Sequence, residues 1–151
     1  MLPWSVQKPQ LYLLRTTLRA GSATGAACDE VLQTVGFRSL SWPLGGLSLN
    51  GETLQLRGFS EHNDFGGVGT AMPARLHLYQ MQSIRSTGAQ FRRQSHNPAD
   101  PVQLDVLDRI GVLTWDEQRD YDIRFVADWV AMVRRDRSHA SVVVWSTCNG
   151  E

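Results

Sequence analysis

The sequence predicts an α/β fold built on a parallel sheet, and three observations carry that prediction. From residue 54 to the end, short strand-like apolar runs and longer helix-like segments take turns. The helix-like segments close on glycines, Gly88 and Gly111, and one of them opens on Asp100-Pro101, a capping side chain followed by a proline whose missing N–H costs nothing there. With 151 residues, 42% of them apolar, the chain can bury a core of ordinary size.

The elements follow in order. Leu11 to Leu14 and Val31 to Leu40 are strand-like segments on either side of the small, polar loop Ala20-Gly21-Ser22-Ala23-Thr24-Gly25, a hairpin pattern. The rhythm changes near residue 45. Leu54 to Phe59 reads as a strand, and residues 74 to 87 as a helix with Leu78, Met81 and Ile84 along one side. Ala89 to Ser95 is the second strand of the alternating series, unusually polar because of Arg92. The helix opened by Asp100 presents Val102, Val106 and Ile110, and Val112 to Trp115 is the third strand. Asp120 to Arg137 is the strongest helix, with Ile123, Val126, Val130 and Val133 beside Phe125, Trp129 and Met132 in a wide apolar stripe, and Ser141 to Ser146 is the fourth strand.

Charge narrows the function classes. Fifteen basic residues balance fifteen acidic ones, and fourteen of the basic residues are arginines, Lys8 being the one lysine. No net field draws the chain to nucleic acid or to an anionic membrane, and the arginines are scattered without a stacking platform of aromatics. Cys28 and Cys148 lack metal-ligand or redox spacing and read as free thiols, and the four histidines form no closely spaced ligand pair, so no cofactor is expected. The N-terminal stretch has no basic leader, and Leu11 to Leu14 is too short for a signal core or a membrane span, which leaves the compartment open.

Strand-helix alternation suits either an open doubly wound sheet or a (β/α)8 barrel. The glycines of GFSEHNDFGGVG do not lead into a helix at phosphate-cradling spacing, because Met72-Pro73 intervenes, which argues against nucleotide binding. Polar residues instead gather just past each strand. They are Glu61 to Asp64 after the first, Arg93 to Asn97 after the second, Asp116 to Gln118 after the third, and Ser146, Asn149 and Glu151 after the fourth. That one-ended asymmetry is what a barrel active site requires.

The segments GFRSLSW (36–42), LNGETLQLRGFSEHND (49–64), GAQFRRQSHNPADP (88–101), LDRIGVLTWDE (107–117) and RDRSHASVVVWSTCN (135–149), in this order and spacing, resemble glycoside hydrolase family 2, the β-galactosidase and β-glucuronidase group. The resemblance implies that residues 43–151 are the first four β/α units of a TIM (β/α)8 barrel and that residues 1–42 are the last strands of an immunoglobulin-like β-sandwich domain. It implies a retaining, exo-acting hydrolase of β-glycosides, β-galactosides before β-glucuronides or β-mannosides, with a sugar as partner and neither nucleic acid nor membrane. By the same resemblance Arg57 packs near the catalytic floor, His62 lines the sugar pocket, Arg93 of the Arg-x-Ser-His motif holds the nucleophilic carboxylate, and His96 contacts substrate. Asp116 closes the third strand beside the substrate, Asn149 bonds the sugar 2-hydroxyl, and the acid/base glutamate directly follows that asparagine.

Here the sequence departs from the family pattern, since Gly150 follows Asn149 and Glu151 comes one residue late. Either Glu151 is the acid/base displaced along the rim, or Gly150 replaces the acid and the chain is a non-catalytic, sugar-binding descendant. Retaining glycosidases need two carboxyl groups about 5–5.5 Å apart. In the resembled family the nucleophile belongs to the second half of the barrel, so the chain reads as a fragment that lacks that half and is inactive alone. Among the remaining residues, His77 and His139 are expected at the surface, Asp116-Glu117 could cap the following segment, Arg134 to Arg137 reads as a solvated helix end, and Arg92 has no sequence-level explanation.

Overall fold

The structure is a computed structural model that describes residues 1–119 and 122–149. Its elements are strands β1 (Tyr12–Arg19), β2 (Ala27–Val35), β3 (Leu40–Ser41), β4 (Leu47–Leu49), β5 (Glu52–Leu54) and β6 (Gly58–His62), helix α1 (Ala74–Ser86), β7 (Phe91–Ser95), α2 (Pro101–Ile110), β8 (Leu113–Glu117), a short 3-10 turn (Ile123–Phe125), α3 (Val126–Asp136) and β9 (Val142–Ser146). β6, β7, β8 and β9 form one parallel sheet in that spatial order, so each of the three α-helices joins neighbouring strands. This is the expected α/β alternation. β1 and β2 form an antiparallel hairpin, and β3, β4 and β5 a small antiparallel sheet that the sequence pattern does not reveal, because its strands are two or three residues long.

The predicted caps explain where the helices start and stop. The Asp100 carboxylate accepts from the Val102 N–H at 2.8 Å, and Gly111 ends α2 at φ 72°, where its N–H reaches the Leu107 carbonyl. Gly58 is required for a different reason, since a Cβ there would stand 1.6 Å from the Phe91 carbonyl oxygen, so β6 and β7 could not close on each other.

Two apolar clusters hold the sheet. On the helix face, Met81 of α1 and Leu104, Val106 and Leu107 of α2 pack with Val112 and Val142. On the opposite, open face, the base of the strands is filled by Leu113 and Val143 together with Leu47, Leu49 and residues from the start of the chain, Trp4 and Val6. Trp4 is fully buried and its indole N–H donates to the Asp108 carbonyl at 2.8 Å, while Asn50 donates to the Trp4 carbonyl at 2.9 Å. Arg38 ties the same region to β9 by donating to the carbonyls of Ala140 and Val142. The segment before residue 43 therefore shares a core with the parallel sheet.

Several sequence expectations need correction, and one physical reason covers most of them. The helix face of the sheet carries a layer of polar groups as well as apolar ones. Arg92, with no exposed surface, forms an ion pair with Glu61 at 2.8 Å and bonds Gln94, which explains an arginine inside a strand. Burial, against the attraction of Glu61 and Asp116, pulls the Arg92 pKa down to about 10, and burial raises that of Glu61. His77 is buried rather than at the surface, 3.8 Å from the Asp100 carboxylate, so α1 turns His77, Met81 and Ile84 inward and leaves Leu78 37% exposed. Burial alone would lower the pKa of His139, but its 2.8 Å bond to the buried Asp108 carboxylate, together with the negative charges of Asp108, Asp105 and Asp136, raises it. α2 buries Leu104 and Leu107 beside Val106 and leaves Val102 41% exposed. α3 is shorter than expected and buries Met132 and Asp136, while Val126 and Val130 stay exposed. Its end is not fully solvated either, because Arg135 pairs with Asp136 at 2.6 Å and donates to the Ala99 carbonyl at 2.7 Å.

Asp116 belongs to this layer. It is fully buried on the helix face, accepting from the Ala99 N–H at 2.9 Å, and it faces Asp136. Burial first, and the neighbouring Asp136 second, push its carboxyl up to about 7, against the pull of the Ala99 N–H and Arg135. Since this folded-state value lies above the ordinary 3.8, the protonated group is favoured by the fold, and its contribution to stability is complete below about pH 4 and lost as the pH rises to about 7.

Two outcomes are expected from this packing. Trp4→Ala should lower the unfolding free energy by about 3–5 kcal/mol in urea titrations, through lost packing and the orphaned Asp108 carbonyl. Asp116→Asn keeps an acceptor for Ala99 and gains a donor toward Asp136. Its stability should match the wild type most closely near pH 4 and exceed it by up to about 4 kcal/mol at pH 8, in urea titrations run across that range.

Candidate active site

Parallel pairing sets the site. The register aligns His62 with Ser95, Arg93 with Trp115, and Glu117 with Ser146, so the carboxyl ends of all four strands lie at one edge. Side chains alternate between the two faces of a strand. Arg92, Gln94, Thr114 and Asp116 point toward the helices and are fully buried there, so Arg93, Ser95, Trp115 and Glu117 take the open face. The Ser60 and Ser95 hydroxyls meet across β6 and β7 on that same face.

At the carboxyl edge of the open face, one buried carboxylate gathers the polar groups. Glu117 has no exposed surface; its Oε2 accepts from Arg93 Nε at 2.8 Å, its Oε1 from Arg93 Nη2 at 3.0 Å, and Oε1 also lies 2.8 Å from His96 Nδ1. Arg93 Nη2 further donates to Asn149 Oδ1 at 2.9 Å, and the guanidinium carbon lies 5.5 Å from the Trp115 ring centroid, within cation–π range. The His62 ring meets the His96 ring edge to face, with centroids 5.2 Å apart. Past β9, the Ser146 hydroxyl donates to the Cys148 carbonyl at 3.0 Å, and this turn carries Asn149 back toward Arg93. Two free cysteines remain, Cys28 exposed and Cys148 half-buried.

The sequence-predicted residues therefore divide. His62, Arg93, His96 and Asn149 come together, drawn from the ends of three different strands. Asp116 does not join them: its side chain is on the helix face, one residue out of phase with Glu117, and it cannot line a substrate opening shared with His96. Arg57 also lies apart, at the amino end of β6 opposite His62, exposed and donating to Gln55 Oε1 at 2.7 Å. Glu151, the expected acid/base, lies outside the described residues, as does Gly150. Glu117 is the group that sequence reasoning missed. Strand periodicity alone does not single it out; only the register that sets Trp115 beside Arg93 places Glu117 on that face and Asp116 behind.

The cluster can bind a neutral, hydroxyl-rich ligand, because it offers an imidazole, a carboxamide and aromatic edges around an ion pair that is already matched. It holds one carboxylate among the described residues, and that carboxylate is occupied by an arginine and a histidine.

The chain is similar to known proteins over nearly all of its length. A putative β-glucuronidase of Formosa agariphila is 34% identical over 161 residues, covering 97% of this chain and 15% of its own length. A β-galactosidase of Bacteroides ovatus is 31% identical, with 97% and 19% coverage. A crystal structure of a β-glycosidase from Bacteroides vulgatus superposes with a TM-score of 0.90 at 31% identity, covering 98% of this chain and 21% of that one. The chain thus spans only 15–21% of the length of these relatives. Residues 44–127 match the family described as "Glycosyl hydrolases family 2, TIM barrel domain". With four parallel strands whose carboxyl edge gathers the polar cluster, and with that match over more than half its length, the chain belongs to glycosyl hydrolase family 2.

Proposed function

We propose that these residues form the sugar-binding part of a retaining, exo-acting β-glycosidase. The observation that carries this reading is the cluster of Arg93, Glu117, His96, His62 and Asn149 at the carboxyl ends of parallel strands in a family 2 chain. His62, His96 and Asn149 contact the terminal sugar, with Asn149 serving the 2-hydroxyl, while Arg93 orients the site. Terminal β-galactosides and β-glucuronides are the two substrate classes, as relatives of both names are similar over nearly all of the chain.

Double displacement needs a nucleophile and an acid/base about 5–5.5 Å apart. Glu117 is a poor candidate for either role, because Arg93 and His96 already take its oxygens. Glu151 is proposed as the acid/base, one residue later than the family spacing, and the nucleophile comes from a second half of the barrel outside these residues. In support, β6 and β9 each pair on one side only, edges that further strands would extend. Residues 1–42 are proposed as the end of an immunoglobulin-like sandwich. On one face the β1–β2 hairpin exposes Leu14, Leu18 and Val31, a surface that an adjoining sheet would bury, and a hairpin alone is marginally stable in water. The second reading, a non-catalytic sugar-binding descendant, is favoured by Gly150 directly after Asn149.

The purified 151-residue chain should not hydrolyse chromogenic β-galactosides or β-glucuronides, and its NMR spectrum should shift at His62, His96 and Asn149 when galactose is added. Asn149→Ala should weaken that binding about tenfold, the cost of roughly one polar contact. Turnover that Glu151→Gln abolishes would show that no second half is needed, and an unperturbed spectrum at high galactose would remove the sugar site.

A further inference from the structure

The cluster contains groups whose hydrogen-bonding sense is left open by residue type and closed by geometry. An arginine donates and never accepts, whereas a carboxylate only accepts; a neutral histidine and an asparagine can each present either sense. Around Glu117 these constraints combine. His96 Nδ1 stands 2.8 Å from Glu117 Oε1, and at that distance a bare ring nitrogen would oppose one acceptor to another; the alternative contact, Nδ1 to Arg93 Nη2, is 3.5 Å. The proton therefore belongs on Nδ1. Arg93 is in turn fixed by two contacts to Glu117 and by the Trp115 ring, and its Nη2 reaches the Asn149 side chain at 2.9 Å, so the oxygen of that amide faces the arginine.

We propose that Glu117 is a positioning residue that sets the hydrogen-bond polarity of the mouth. It holds His96 with Nδ1 protonated, so that Nε2 is presented as a bare acceptor, and through Arg93 it holds Asn149 with its NH2 outward as a donor. Among the described residues the hydrogen bonds of His96 and Asn149 use Nδ1 and Oδ1, and none uses His96 Nε2 or the Asn149 NH2. A ligand hydroxyl can donate to the first and accept from the second, whereas a carboxylate or ether oxygen can satisfy only the amide. Resting on the sugar-binding reading for its ligand, the proposal thus selects free sugar hydroxyls at this corner. The burial of Glu117 on a strand, rather than on a loop, makes the setting a property of the unliganded fold.

The test is a multiple-bond proton–nitrogen NMR spectrum of the full chain at pH 8, labelled with nitrogen-15, without ligand. The expected His96 pattern has a protonated Nδ1 and an unprotonated Nε2. Glu117→Gln, of the same volume, should move His96 toward the Nε2–H form and speed exchange of the Arg93 Hε, changes that a merely space-filling Glu117 would not produce. A wild-type ring protonated at Nε2, alone or on both nitrogens, overturns the proposal, as does a Glu117→Gln spectrum unchanged at both residues. If that variant does not fold, the wild-type tautomer decides. Galactose is then added to the same sample. A protonated Nδ1 with no galactose-induced shift leaves the role of Glu117 standing and removes the sugar reading, whereas a shift at His96 together with a protonated Nε2 does the reverse.

Discussion

The strand ladder from β6 to β9 is the constraint on which the rest depends. Parallel pairing in sequence order brings four carboxyl ends to one edge, and the two-residue period of each strand then assigns every side chain to one of two faces. A slip of one residue in β8 would exchange Asp116 and Glu117, moving the acid that faces Asp136 to the open face and turning Glu117 away from Arg93 and His96. The register must therefore be held firmly, and the apolar clusters on both faces hold it, with Leu113 committed to one and Val112 to the other.

Polar residues on the two faces are matched by different means. On the helix face, Arg92 is paired with Glu61, and Asp136 with Arg135, in surroundings where an unmatched charge would be costly. Asp116 meets that cost by holding its proton to an unusually high pH. On the open face Glu117 stays matched by Arg93 and His96, which lets a fully buried carboxylate stand within the polar cluster. Two acids adjacent in sequence thus have opposite tasks, one structural and one at the site.

The first residues of the chain matter to this arrangement through packing. Trp4 and Val6 fill the amino-terminal base of the open face together with Leu47 and Leu49, and Arg38 bonds the carbonyls at the entrance to β9. The site at the upper end of the sheet is consequently braced from below by residues far away in sequence. That coupling is why the change of rhythm near residue 45 marks a change of secondary structure and does not divide the core.

The alternation of strands and helices, the caps at Asp100 and Gly111, and the set of polar residues past the strands are legible from the residues alone, because these depend on local periodicity and backbone chemistry. The ordered motifs were also sufficient for the family. Contacts between strands set which member of the adjacent pair joins the polar cluster, because a strand pattern rich in buried polar residues does not announce its inner face. The apolar rule that normally identifies that face fails where Arg92, Gln94, Asp116 and Glu117 are all buried. Tertiary structure also decided that His77 is interior, that β3 to β5 exist, and that Trp4 belongs to the sheet's core, since each depends on contacts between segments distant along the chain. Hydrogen-bond geometry alone could then distinguish a carboxylate that organises an arginine, a histidine and an asparagine from one that is merely hidden.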